Sequence, residues 1–134
     1  MKKVKVGIIG YGVIGKRVAD AVVLQNDMEL VGVCDVVSDW RIKMAVDKEF
    51  SIYAFDDTFK KQMTDSGIPI VGILDDIITQ SDIIVDCTPK SIAAKNIDKY
   101  KASNTKFILH GGEKHETTGH SFSAENNYKS AVNL

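Results

Sequence analysis

Between Val4 and Asp35 the spacing of the apolar residues changes period twice, and that change restricts the fold more than any other feature of the chain. Val4, Val6, Ile8 and Ile9 surround Gly7 in a short apolar run, the pattern of a strand covered on both faces. Ile14, Val18, Ala21 and Val22 then recur at i, i+4, i+7 and i+8, one stripe of an amphipathic helix. Leu30 to Cys34 is a second apolar strand. A strand, a helix and a strand within about thirty residues form a βαβ unit, whose crossover makes the two strands parallel.

The alternation continues. Asp39 is placed to cap a helix through Val46 that carries Trp40 and Ile42, and Ile52 to Phe55 reads as a strand. Phe59 and Met63 mark a helix face ending before Gly67, Ile68 to Val71 a strand, and Asp75 to Gln80 a brief helix. Ile83 to Cys87 is the clearest buried strand. Ser91 is placed to cap a helix bearing Ala93, Ile97 and Tyr100, and Phe107 to Leu109 form a strand running into His110-Gly111-Gly112. This succession predicts an α/β fold over residues 1–134, a doubly wound, mostly parallel sheet with helices on both faces. At 134 residues the chain suits one domain rather than two.

Composition narrows the partners. A 44% apolar and 26% charged chain is globular, and a net charge of −1 offers no bulk attraction to nucleic acid or to an anionic membrane. No apolar run approaches the roughly 18 residues of a membrane helix, and the first residues do not read as a signal peptide. Cys34 and Cys87 each end an apolar run, which favours free thiols in a reducing, cytoplasmic setting.

In a doubly wound sheet, ligands bind outside the carboxyl ends of the strands. The first such loop is Gly10-Tyr11-Gly12-Val13-Ile14-Gly15, a GxGxxG turn of the Rossmann type. Gly10 allows the tight turn, Gly12 lets backbone approach a pyrophosphate, and Gly15 lets the helix pack on the sheet. The helix N-terminus directs free N–H groups and its positive dipole end at the phosphates. GxGxxG alone also describes a plain flexible turn, but here it follows a strand and opens an amphipathic helix. Asp35 ends the second strand 20 residues after Gly15, where a carboxylate accepts from the ribose hydroxyls of NAD; an exposed loop aspartate is the plainer reading. A 2′-phosphate there would meet an uncompensated negative charge, so NAD is expected over NADP. Arg41 and Lys43 lie close enough in sequence to swing towards a phosphate, which keeps NADP open.

Three further stretches join the glycine turn in resembling glyceraldehyde-3-phosphate dehydrogenase of the archaeal type. The turn runs on as Lys16-Arg17-Val18-Ala19-Asp20-Ala21; Asp86-Cys87-Thr88-Pro89 precedes Ala94-Lys95-Asn96; and Gly111-Gly112-Glu113-Lys114-His115-Glu116 precedes Ser121-Phe122 and Asn127-Tyr128. The resemblance spans the whole chain but less than half of that family's usual length. It implies a nicotinamide dinucleotide bound as cofactor, with Gly10 to Gly15 on the pyrophosphate. Thr88 and Pro89 would line it from the fourth parallel strand, and Gly111 would approach it after the fifth. It also implies phosphorylating oxidation of glyceraldehyde 3-phosphate by a homotetrameric parent, through a cysteine and a histidine beyond Leu134. Ile9 and Val13 depart from the Asn and the Thr or Ser often found there, which leaves the cradle to backbone N–H groups. Archaeal relatives tend to carry a basic residue near Asp35, so Asp35 departs from their NADP habit.

None of the residues present is assigned a catalytic or metal-binding role. Cys87 reads as a packed thiol, and Cys34 would sit near the adenosine end. His110, His115 and His120 lack the spacing of a metal site, Asp86 is expected to end its strand and bind nearby N–H groups, and Glu113 and Lys114 read as an exposed pair. The chain by itself is expected to bind cofactor without turnover. Two rivals remain: another two-domain reductase or dehydrogenase, such as dihydrodipicolinate reductase or homoserine dehydrogenase, and a non-enzymatic NAD(H)-sensing module. The Gly-Gly-Glu-Lys stretch weighs against the first.

Overall fold

Successive residues of the central strands face opposite ways, and each set finds its own layer of helices. In the computed structural model, which describes residues 2–89, 92–110, 120 and 128–129, the strands are β1 (Val4–Ile9), β2 (Met28–Asp35), β3 (Ile52–Ala54), β4 (Ile70–Ile73), β5 (Ile83–Asp86) and β6 (Lys106–Leu109). The helices between them are α1 (Val13–Val23), α2 (Trp40–Asp47), α3 (Asp57–Asp65), α4 (Leu74–Gln80) and α5 (Ile92–Ala102). Ile8, Val33, Ile52 and Ala54 pack with Ala19 and Val22 of α1, Ile42 and Ala45 of α2, and Met63 of α3. Ile9, Cys34, Tyr53 and Ile84 pack with Leu74, Ile77 and Ile78 of α4 and Tyr100 of α5. Each large aliphatic side chain withdrawn from water in this way contributes about 1.5–3 kcal/mol.

All five strand pairings are parallel, in the order β4-β3-β2-β1-β5-β6. The expected doubly wound architecture is therefore present. The first three crossovers build outwards from β1 on one side; α4 then carries the chain back across the sheet to the far side of β1. Because Ile70–Ile73 joins the sheet as β4, Thr88 and Pro89 follow the fifth parallel strand, not the fourth, and Leu109 ends the sixth.

One expectation about the helices needs correcting. The core face of α1 is Gly15, Ala19 and Val22, whereas Ile14 and Ala21 of the expected stripe are exposed. The stripe is rotated because the helix must bring its smallest residues against the turn that precedes it. Trp40 is 65% exposed and contributes nothing to the core, which takes Ile42 and Ala45 from α2 instead. Caps behave as their residue types require: Asp39 accepts from the Arg41 N–H at 3.0 Å and Asp56 from the Phe59 N–H at 2.9 Å. Ser91 and Gly111 lie outside the described residues. Among the described residues no helix is long and apolar enough to cross a membrane.

Candidate functional site

The register of the three central strands sets their carboxyl ends level. Ile9 pairs with Cys34 on one side and with Asp86 on the other, so the loops after β1, β2 and β5 leave the sheet side by side. The crossovers from β1 and from β5 depart in opposite directions, and a cleft opens between them. It measures about 670 Å³, and its walls include Gly10, Gly12, Asp35, Arg41, Thr88, Pro89 and His110.

The glycine turn is held by its neighbours on both sides. The Gly10 N–H donates to the Cys34 carbonyl at 2.7 Å, and the Cys87 N–H donates to the Ile9 carbonyl at 2.7 Å. Gly10 has φ +89°, a conformation that penalises any side chain. At Gly15 the constraint is space: an added Cβ would lie 1.8 Å from the Gly10 carbonyl oxygen. Gly12 differs from both. It has ordinary φ, and an added Cβ there would meet nothing within 4 Å.

Gly12 is the N-cap of α1 and supplies no side-chain cap. The ladder of the helix begins with Lys16 N–H to the Gly12 carbonyl at 3.0 Å, so the amides of Val13, Ile14 and Gly15 lie ahead of it. No acidic side chain occupies the first turn. A helix end of this kind, bare and bordered by a cleft with room above Gly12, suits an anionic group. Val13 turns its side chain outwards, 68% exposed, and Ile14 does likewise, so both are present at the turn through backbone alone.

Tyr11 takes no part in the cleft wall. Its side chain enters the core on the α1 side, where its ring meets Phe50 edge-on at 6.5 Å. Its hydroxyl is buried with no hydrogen-bond partner among the described residues. A buried hydroxyl left unpaired costs about 1–3 kcal/mol. Tyr11→Phe is therefore expected to melt at the wild-type temperature or a few degrees above it in thermal denaturation.

Asp35 stands at the rim and does structural work. One carboxylate oxygen accepts from the Tyr11 N–H at 2.7 Å and the other from the Val36 N–H at 2.7 Å, which ties the end of β2 to the glycine turn. Each oxygen keeps a lone pair for a further donor. Arg41, at the start of α2, faces the same end of the cleft and is paired with Asp39 at 2.8 Å. The Arg41 hydrogen bonds hold the Asp39 carboxyl below its ordinary range. Lys43 is exposed on the same helix and does not line the cleft.

On the β5 side the organising group is Asp86, 0% exposed. Its Oδ1 accepts from the Thr88 N–H at 3.0 Å and the Thr88 hydroxyl at 2.5 Å; its Oδ2 accepts from Asn96 Nδ2 at 3.2 Å and the Tyr100 hydroxyl at 2.5 Å. Burial and then the Asp86 charge push the Tyr100 phenol well above its ordinary pKa. The expected N–H bond to Asp86 is present, through Thr88. Asn96 and Tyr100 escaped the sequence reading as its partners. Their signal was a pair of hydrogen-bonding side chains four residues apart on a helix that follows a strand ending in aspartate.

Neither thiol is activated. Cys34 is fully buried, and burial followed by Asp35 pushes its thiol far above the usual range. Cys87 lines the cleft, but burial and the adjacent Asp86 push it up to about 11. At neutral pH almost none of either is thiolate, the nucleophilic form. Of the residues singled out from sequence, the cleft gathers Gly10, Gly12, Asp35, Thr88 and Pro89 into its wall; Gly111 and His115 lie outside the described residues.

An all-parallel doubly wound sheet with a bare helix end and a glycine turn at its switch point defines a Rossmann-type dinucleotide-binding fold. The chain belongs to the family described as "dihydrodipicolinate reductase, N-terminus", an NAD(P)-binding domain, which it matches over residues 4–131. It is also 46% identical over 132 residues to the glyceraldehyde-3-phosphate dehydrogenase of Methanococcoides burtonii, covering 98% of this chain and 39% of that protein. Against that of Methanothermus fervidus it is 43% identical over 124 residues, covering 92% of this chain and 37% of that protein. The matched part is N-terminal, and the chain spans less than two-fifths of the length of these curated relatives. The expected resemblance to the archaeal dehydrogenases is thus present, within a family named for one of the rivals, because one cofactor-domain architecture serves both. Among solved structures, apo scyllo-inositol dehydrogenase from Lactobacillus casei superposes with a TM-score of 0.60 at 17% identity, covering 81% of this chain and 28% of that chain. That likeness concerns the fold alone.

Proposed function

We propose that this chain is the cofactor-holding part of a phosphorylating glyceraldehyde-3-phosphate dehydrogenase, and that it binds NAD in preference to NADP. The observation that carries the reading is Gly12: it caps a helix with no side chain in the way, beside a cleft of about 670 Å³. The amides at the head of α1 hold the pyrophosphate. The free lone pairs of Asp35 accept from the adenosine ribose, and Val36, Val37, Phe55 and Phe59 offer the apolar slot a purine needs at that end. Thr88 and Pro89 stand across the cleft beside the other ribose. The bound dinucleotide supplies the hydride acceptor.

In the whole enzyme, an aldehyde adds to a cysteine thiolate, loses hydride as it becomes a thioester, and is released by inorganic phosphate as an acyl phosphate. The high pKa of Cys87 and the burial of Cys34 support assigning that thiolate to neither of them. The 134 residues are accordingly expected to hold nucleotide without oxidising aldehyde. Phosphate- and aldehyde-dependent NADH formation by this chain alone would refute that part.

Gly12→Ala tests the binding reading directly. The added methyl meets open space in the free protein, so the melting temperature is expected to stay within a few degrees of wild type. It occupies the place where backbone and pyrophosphate approach, so calorimetric NADH affinity is expected to fall roughly tenfold or more. Undiminished affinity in this variant would remove the glycine turn from the site.

A further inference from the structure

Three ionised side chains meet at the β2 end of the cleft: Asp35, Asp39 and Arg41. Asp35 and Arg41 line it, and Asp39 reaches it through Arg41. The Arg41 guanidinium donates from Nε to both Asp39 oxygens, at 3.3 and 3.1 Å, and from Nη2 to Oδ2 at 2.8 Å. The same carboxylate caps α2 through the Arg41 N–H, so carboxylate and guanidinium are fixed to one helical turn. Two carboxylates against one guanidinium leave this corner with a net charge of −1. Lys43, exposed on the outer side of α2, does not redress the balance within the cleft.

We propose that Asp39 is a specificity-determining residue of the nucleotide cleft: by pairing with Arg41 it keeps the corner negative and so disfavours a dinucleotide carrying a 2′-phosphate. The proposal rests on the reading of the cleft as a dinucleotide site. Arg41 presents one bidentate edge, Nε with Nη2, to Asp39, and that edge is then closed to phosphate. A 2′-hydroxyl loses nothing by this, since it donates to Asp35. A 2′-phosphate meets two carboxylates and a guanidinium that has already given one bidentate edge to Asp39.

Asp39 is the better point of intervention than Asp35. One oxygen of Asp35 holds the Tyr11 amide of the turn and the other the Val36 amide at the end of β2, so its loss would disturb the pyrophosphate cradle as well. Asp39 acts on the corner only by charge and by its hold on Arg41, and its cap can be supplied by serine. The useful variant is Asp39→Ser, which retains the α2 cap and releases the guanidinium.

Calorimetric titration with AMP and with adenosine 2′,5′-bisphosphate isolates the corner, because the two probes differ only in the 2′-phosphate. Asp39→Ser is expected to tighten the bisphosphate about tenfold while AMP affinity stays within twofold, and about 0.5 M salt should shrink the gain. Adding Arg41→Gln should cancel it. An unchanged ratio between the two probes, or weaker bisphosphate binding in Asp39→Ser, would overturn the role of Asp39 while leaving the cleft intact as a nucleotide site. Failure of wild-type protein to bind either probe, or NADH, would overturn the cleft reading itself and the proposal with it.

Discussion

Gly15→Ala is expected to be among the most damaging single substitutions in the glycine turn. The new Cβ would stand 1.8 Å from the Gly10 carbonyl oxygen and 2.9 Å from its carbonyl carbon, both inside the 3.0 Å within which real Cβ atoms essentially never approach another heavy atom. Neither partner can yield alone. Gly10 is clamped by its own N–H bond to the Cys34 carbonyl, and α1 is clamped by Ala19 and Val22 in the core. The helix must therefore slide away from the turn. Overpacking of this kind costs about 3 kcal/mol, which for a chain of this size lowers the melting temperature by roughly 10 °C. The displaced amides should also lose most of their NADH affinity. The contrast with Gly12→Ala is the point of the measurement: one methyl group, three residues away, is expected to spare stability and spoil binding only. A Gly15→Ala protein that melts within 2 °C of wild type, judged against ~10 °C expected, would show that α1 does not pack on the turn as described.

The second large effect is expected at Asp86. Asp86→Ala removes the acceptor from four donors at once: the Thr88 amide, the Thr88 hydroxyl, the Asn96 amide and the Tyr100 hydroxyl. Both hydroxyls can rotate, but the Thr88 backbone N–H cannot, and Tyr100 and Asn96 are buried. With about 1–3 kcal/mol for each buried group left unpaired, a loss of roughly 3–5 kcal/mol is expected. Asp86→Asn is the informative companion. Its amide oxygen still accepts from the Thr88 N–H, while its NH2 group faces a Tyr100 hydroxyl that can turn to accept and an Asn96 amide that can flip. Its cost is expected to be about 1 kcal/mol. Chemical denaturation of the pair checks both values. Equal losses for Asn and Ala would mean that the carboxylate charge, rather than the hydrogen-bond count, holds the loop and α5 together.

Both predictions depend on contacts that the sequence reading only partly anticipated. The order of strands and helices was legible because apolar periodicity is a local signal, and the cap at Asp39 followed from residue type alone. The roles of Gly10 and Gly15 were legible as well, since turn geometry at the first and close approach at the second demand glycine, whereas nothing in the free chain demands it at Gly12. The face of α1 was not. Ile14 and Ala21 fit an apolar stripe, yet the helix turns Gly15 and Ala19 inwards because closeness to the sheet, rather than apolar area, decides its rotation. Tyr11 was read with the site because its neighbours are there, whereas its ring leaves the turn on the core side. Asp35 was read as a partner for ribose, and its bonds to the Tyr11 and Val36 amides came to light only with the strands in register.

By itself, then, the sequence determined the class of fold and the turn at the end of its first strand, because those follow from spacing and side-chain type. Only the tertiary structure decided that Ile9, Cys34 and Asp86 end level, that β4 joins the sheet before the chain crosses over, and that Arg41 faces the cleft in the grip of Asp39. It also decided that one buried carboxylate organises the far wall. The physical reason is common to all of these: they are set by pairings between residues tens of positions apart, whose free energy depends on register and packing that no local pattern carries.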